Sequence, residues 1–204
     1  MLYNFVKRLL DILISLSAII VLFPLFIIII VLIKLTSRGP AVFKQQRAGK
    51  DGKPFIFYKF RTMKIDADPF GPSPKSGRDQ RLTKVGIFLR KYSLDELPQF
   101  FNVIRGDMSV VGPRPLYVAQ IAEWNQQQRK RLNVKPGITG LAQIHGRGEL
   151  TIEQKLAYDV EYVENASLLL DLKIIFLTMV QVLAGKSIYE KKYSEKMDTR
   201  GDLH

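Results

Sequence analysis

The stretch from Leu9 to Ile33 is almost wholly apolar, interrupted only by Asp11, Ser15, Ser17 and Pro24. At roughly 1.5 Å per residue, a helix of this length reaches across a hydrocarbon core of ~30 Å. The run is longer than the apolar part of a signal peptide, and no small-x-small cleavage site follows it. Pro24 falls in its middle, where it removes a backbone hydrogen bond and crowds the preceding turn, so a kink is expected there. Lys7 and Arg8 precede the run and Lys34 and Arg38 follow it, so neither end is favoured for the outer side of a membrane. Two geometries meet these constraints, a helix that bends and returns to the face it entered and a kinked helix that spans. The residues alone leave both open.

Beyond the apolar run the pattern is that of a compact domain. Ala41 to Arg47 and Pro54 to Met63 read as two strands of a β-hairpin, joined through Gly49-Lys50-Asp51-Gly52-Lys53 with its Asp-Gly turn signal. Alternation along the second strand puts Phe55, Phe57, Lys59 and Arg61 on one face. Residues 66–81, rich in Pro, Gly, Ser and charge, read as a weakly ordered loop. Leu82 to Arg90 and Leu94 to Arg105 read as helices, the second with Leu97, Phe100, Phe101 and Ile104 as a core stripe and Gly106 as its stop. An amphipathic helix is expected over Tyr117 to Asn133. Lys135 to Gly140 cannot be helical throughout, and Thr151 to Asn165 and Leu168 to Leu183 close the ordered chain as helices. The last is strongly apolar yet short for a span, which suits an interfacial or core-capping position. The fold class is therefore α+β and mainly helical, divided into a membrane-embedded segment 1–38, a compact domain 39–185 and a charged tail 186–204.

Composition narrows the chemistry. A net charge of +12 calls for anionic partners: nucleic acid, anionic lipid or phosphorylated small molecules. With no cysteine, disulfides and thiolate metal sites are excluded, and the two histidines, His145 and His204, lie too far apart in sequence to suggest a zinc site, so any metal must be held by oxygen.

The chemistry concentrates in Ser93-Leu94-Asp95-Glu96-Leu97-Pro98-Gln99. Ser93 with Glu96 three residues on fits a capping box, which would account for both acids structurally. Capping does not account for Pro98, which would delete a hydrogen bond just past the first turn, a broken local rule of the kind found at functional sites. A carboxylate at a helix start stays ionised and can attack phosphorus, so Asp95 is a competent nucleophile. Attack on a diphosphate further needs a hard cation on carboxylate oxygens, for which Glu96 is adjacent, and cations on the phosphates. Lys59, Arg61, Arg90 and Arg114 are candidates. Any one of the first three can be a plain surface charge, whereas Arg114, fixed between Pro113 and Pro115, is preset for bidentate phosphate recognition.

Together with Phe5-Val6-Lys7-Arg8 and Asp11, Tyr58 to Met63, Asn102-Val103, Gly106 to Ser109, Val111 to Pro115 and Pro136 to Gln143, these residues resemble the monotopic phosphoglycosyl transferases, or bacterial sugar transferases, along nearly the whole chain. The likeness is to the small members that consist of the catalytic core. It implies a re-entrant membrane helix bent at Pro24, interfacial amphipathic helices and a catalytic domain on the cytoplasmic face of the bacterial inner membrane. It also implies Asp95 and Glu96 as a catalytic dyad that holds Mg²⁺, and transfer of a sugar 1-phosphate from a UDP-sugar to undecaprenyl phosphate. The transfer would pass through a phosphosugar on Asp95 and release UMP, as a first membrane step of glycoconjugate synthesis. By the same resemblance Lys59, Arg90 and Arg114 serve the phosphates, and Thr139, Gln143 and Arg147 the nucleotide. The partners implied are the UDP-sugar, the polyprenyl phosphate and membrane lipid, without nucleic acid; a homodimer is left open. One position departs from the pattern, Phe23, where family members often carry Ser before the bend proline.

Two other readings compete. Asp66-Ala67-Asp68 imitates the metal-binding Asp-x-Asp of glycosyltransferases that release UDP, although no αβ alternation surrounds it. A membrane-tethered basic domain that binds lipid or nucleic acid would need no dyad at all.

Overall fold

The computed structural model describes residues 2–68, 71, 74 and 76–184, with the side chain of Arg147 left out. The tail 186–204 and part of the 66–81 loop lie outside the described residues. Helix α1 (Leu2–Thr36) extends the apolar run at both ends and contains Pro24. Hairpin β1 (Val42–Ala48) and β2 (Pro54–Phe60) follows, then α2 (Lys84–Lys91), α3 (Gln99–Arg105) and β3 (Ser109–Val111). Next come α4 (Gln126–Arg129), β4 (Gly137–Thr139), α5 (Leu141–His145), α6 (Ile152–Glu164) and α7 (Leu168–Ala184). The protein is mainly helical, with β1 and β2 antiparallel and β3 and β4 forming a short parallel pair.

The hairpin stands as expected, shifted slightly: β2 ends at Phe60, and its turn is tight because Asp51 and Gly52 both take positive φ, 56° and 73°. Arg61 therefore leaves the row of Phe57 and Lys59 and donates from Nη2 to Ser37 O and Oγ, at the end of α1. Three helix expectations need correction. The stretch Tyr117 to Asn133 is not one helix but a 3₁₀ turn Val118–Glu123, α4 and a second 3₁₀ turn Lys130–Asn133. Trp124 is extended, and Asn125 restarts the helix with a capping box to Gln128. Leu94 to Arg105 is likewise split, into a 3₁₀ turn Leu94–Glu96 and α3. The stripe assigned to the core is only partly buried: Leu97 packs against the cluster of Phe26, Phe60 and Leu89, whereas Phe101 and Ile104 are exposed and Gln99, Asn102 and Val103 are buried. The reason is α1: Phe26 packs edge-on to Phe101, so that side of α3 lies against the apolar helix while Val103 enters the domain core.

Two features place α1. Most of its apolar side chains are exposed, and its most apolar window is only 17% buried, far from what the core helix of a water-soluble domain would show. Yet both of its ends are tied to the domain. Near the start, Lys7 Nζ meets Asp171 at 2.8 Å, Arg8 donates to the carbonyls of Val103 and Ile104 at the end of α3, and buried Asp11 accepts from Ser109 Oγ at 3.0 Å and Val110 N at 2.9 Å. Near the finish, Phe26, Ile29 and Ile33 pack with Ala41, Phe60 and Leu89. Helix α7 is two-faced: Asp171 and Ile174 are buried, while Leu169, Leu172, Phe176, Met179 and Leu183 form an exposed apolar stripe.

Because Asp11 satisfies the β3 backbone from within the apolar helix, Asp11→Val leaves the Val110 N–H and the Ser109 hydroxyl without their acceptor. Thermal unfolding in detergent is expected to show a loss of about 1–3 kcal/mol. An unchanged midpoint would mean that this tie carries no stability.

Candidate active site

The dyad is aimed by a strained turn rather than by a helix cap. Ser93 sits in the left-handed region at φ 54°, and its side chain makes no capping bond, so the capping-box explanation of the two acids fails. From that reversal Leu94–Glu96 coils as one 3₁₀ turn, with Glu96 N donating to Ser93 O at 3.1 Å. Pro98, expected to break a helix, immediately precedes α3 with φ −60°, where its missing N–H costs nothing. The local rule is broken at Ser93 instead. Its positive φ, costly for a residue with a Cβ, sends Asp95 inward to 3% exposure.

Buried carboxylates have to be balanced, and the hairpin and the Pro-Arg-Pro loop supply the cations. Lys59 Nζ lies 2.8 Å from Asp95 Oδ2 and 3.3 Å from Glu96 Oε1. Arg114 approaches Glu96 as a fork, Nη2 to Oε1 at 2.7 Å and Nη1 to Oε2 at 3.5 Å. The Lys59 and Glu96 side chains are 17% exposed and that of Arg114 40%, so the cluster opens on the arginine side. Two negative and two positive groups thus sit together with no net charge, and Lys59 is no solvated strand end. The strand is locked to α3, which follows the dyad's turn, by Asn102, whose amide donates to Ile56 O at 2.7 Å and accepts from Tyr58 N at 3.1 Å. Its part is invisible in the sequence, because both bonds cross more than forty positions of chain.

The remaining predicted residues are placed differently. Arg90 is in the last turn of α2, its carbonyl accepting from Ser93 N at 3.0 Å, and one buried guanidinium nitrogen has no hydrogen-bond partner. Thr139 lies under the Pro-Arg-Pro loop, its carbonyl accepting from Gly112 N at 2.9 Å and its hydroxyl shared with Thr178 at 2.6 Å. Gln143 is buried in α5 with both amide atoms unpartnered. Arg147 begins a 3₁₀ turn. Among the described side chains, Arg90, Thr139 and Gln143 make no ion pair or side-chain hydrogen bond with Asp95. Asp66 and Asp68 are exposed, and among the described residues no group of three or more His, Asp or Glu could hold a metal.

A family model described as bacterial sugar transferase matches residues 2–185. A UDP-glucose:undecaprenyl-phosphate glucose-1-phosphate transferase of Klebsiella pneumoniae is 47% identical over 191 residues, covering 90% of this chain but 41% of that protein. The uncharacterized sugar transferase EpsL of Bacillus subtilis (strain 168) is 43% identical over 204 residues, 97% of this chain and 98% of its own length. A UDP-N-acetylgalactosamine-undecaprenyl-phosphate N-acetylgalactosaminephosphotransferase of Aeromonas hydrophila is 41% identical, covering 90% of this chain and 45% of its own. The chain thus spans less than half of the two relatives named for a reaction and nearly all of EpsL.

The strain at Ser93 gives a direct test. Ser93→Gly is expected to hold or raise stability, by up to about 1 kcal/mol, and Ser93→Val to lose on the order of 2 kcal/mol, read from unfolding in detergent. Equal stability of the two variants would mean that the turn does not require the left-handed conformation.

Proposed function

We propose that this chain, which belongs to the bacterial sugar transferase family, moves a sugar 1-phosphate from a UDP-sugar to undecaprenyl phosphate and releases UMP. The observation that carries this reading is the adjacent pair Asp95 and Glu96, one carboxylate buried, with Lys59 and Arg114 already on them. Such a cluster suits phosphoryl transfer, in which the protein's work is positioning and charge stabilisation. A carboxylate oxygen of Asp95 attacks the phosphorus that bears the sugar. The bond from that phosphorus to the bridging oxygen breaks, and UMP leaves with the electron pair. An oxygen of undecaprenyl phosphate then attacks the same phosphorus, which frees Asp95 and yields undecaprenyl diphosphate-sugar.

In the first step Lys59 and Arg114 exchange part of their hold on the carboxylates for the incoming diphosphate, which uncovers Asp95 as it neutralises the substrate. Arg90, with its unpartnered nitrogen, is a third cation for the phosphates, and Thr139, Gln143 and Arg147 remain proposals for the nucleotide side. The dyad fits Mg²⁺, a hard ion that takes one or two carboxylates along with substrate phosphates. Asp95 and Glu96 would hold it, as adjacent hard oxygen donors, each oxygen with more than one lone pair. When bound, it would supply charge neutralisation on the diphosphate.

The double anchoring of α1 supports the re-entrant geometry. The seven-residue α3, about 10 Å long, meets both Arg8 and Phe26, which stand roughly 27 Å apart on a straight helix. A bend at Pro24 would bring them together. With basic residues at both ends, the helix enters and leaves on the cytoplasmic face of the inner membrane, and the apolar stripe of α7 lies in the same interface.

Detergent-purified protein with Mg²⁺, undecaprenyl phosphate and a panel of UDP-sugars is expected to release UMP. Asp95→Asn should lower that rate on the order of 10³-fold or more while the chain stays folded. Release of UDP, or full activity of Asp95→Asn, would sink the reading. Topology has its own readout, because the natural chain has no cysteine. Single cysteines at Leu2 and Thr36 should both escape an impermeant maleimide in intact spheroplasts and both react after lysis; labelling of one end from outside would establish a spanning helix instead.

A further inference from the structure

We propose that the buried pair Arg131–Asp159 is a positioning element that clamps the backbone of Arg114 and so sets where that guanidinium meets Glu96 and the substrate phosphates. This rests on the phosphoryl-transfer reading above. Arg131, in the 3₁₀ turn Lys130–Asn133, is 4% exposed, and Asp159, on α6, is 2% exposed. Arg131 sends both Nε, at 3.0 Å, and Nη2, at 2.7 Å, to Asp159 Oδ2. The same Nη2 donates to the carbonyl oxygen of Arg114. The guanidinium is covered by the Trp124 ring at 4.8 Å, so neither charge is screened by water.

Stability alone is a poor reason for such a pair, since well-packed apolar side chains usually serve as well. What the pair supplies is geometry. Pro113 and Pro115 leave Arg114 as the one residue of its tripeptide with an N–H, and its neighbours are pinned separately: Gly137 N donates to Pro113 O at 2.9 Å and Ala48 N to Leu116 O at 2.9 Å. The Arg131 bond closes the gap between these two fixed points. Burial pushes the Asp159 carboxyl up, and the Arg131 guanidinium opposes that shift, so the clamp's charge is balanced within the pair. A displacement of about 1 Å in a catalytic cation can cost on the order of 10²-fold in rate, which makes this loop worth fixing.

A double-mutant cycle on the full chain in detergent tests the proposal, using Mg²⁺, undecaprenyl phosphate and whichever UDP-sugar the wild type turns over. The swap Arg131→Met with Asp159→Leu keeps the volume apolar, and Arg131→Lys, which keeps the charge but not the fork, replaces it should the swap fail to fold. The expected result is a kcat lower by roughly 10-fold or more with KM for the UDP-sugar changed by less than about 3-fold, at a retained unfolding midpoint. In an Arg114→Ala background the same change should cost nothing further, because the pair acts through Arg114. Full kcat in the folded variant, or an undiminished loss in the Arg114→Ala background, would overturn the proposal. UDP release by the wild type would instead end the phosphoryl-transfer reading itself, which keeps the two failures apart.

Discussion

Two neighbouring carboxylates held together under the surface of a protein repel each other and lose their hydration, and everything around Asp95 and Glu96 is arranged to meet that constraint. The charge balance comes from two separate parts of the chain, Lys59 on the hairpin and Arg114 on the Pro-Arg-Pro loop. Each cation is useful only if its backbone is fixed relative to the dyad. Asn102 fixes the hairpin by filling hydrogen bonds of β2 from α3, and the β3–β4 pair and Arg131 fix the loop. A small domain with only two short sheets can hold such a site because nearly every tie runs to backbone, which does not depend on a deep core.

The same economy connects the site to the membrane helix. Arg8 caps the end of α3, the helix that starts just after the dyad, and Asp11 holds β3, the strand that leads into the Pro-Arg-Pro loop. The proposed substrates, one dissolved and one lipid-borne, would need a site at the membrane surface. Direct bonds from α1 into both catalytic segments hold the dyad at the level of the apolar helix.

What could be read from the sequence followed locality. The apolar run, the hairpin with its Asp-Gly turn, the final two helices and the adjacent acids rest on short-range pattern and Arg114 on a preset loop, whereas Lys59 is tied to the phosphates only through the family resemblance. The misreadings came where tertiary contact reversed a local preference. Leu97, Phe100, Phe101 and Ile104 make a regular apolar stripe, but periodicity cannot say whether such a stripe faces a core or another helix in a membrane. Ser93 and Glu96 have capping-box spacing, yet the backbone turns left-handed at Ser93, which a serine gives no sign of doing. Asn102, Arg131 and Asp159 act across tens of residues and carry no local signature at all.

The central claim is that Asp95 forms a bond to the phosphorus. Incubation with Mg²⁺ and the UDP-sugar that supports turnover, without undecaprenyl phosphate, followed by mass analysis of the tryptic peptide Tyr92 to Arg105, tests it most directly. A sugar-phosphate adduct on Asp95, formed with one equivalent of UMP and discharged when undecaprenyl phosphate is added, is the result predicted. UMP that appears only when both substrates are present, with the peptide unmodified throughout, would mean direct transfer between them and would contradict the covalent role of Asp95.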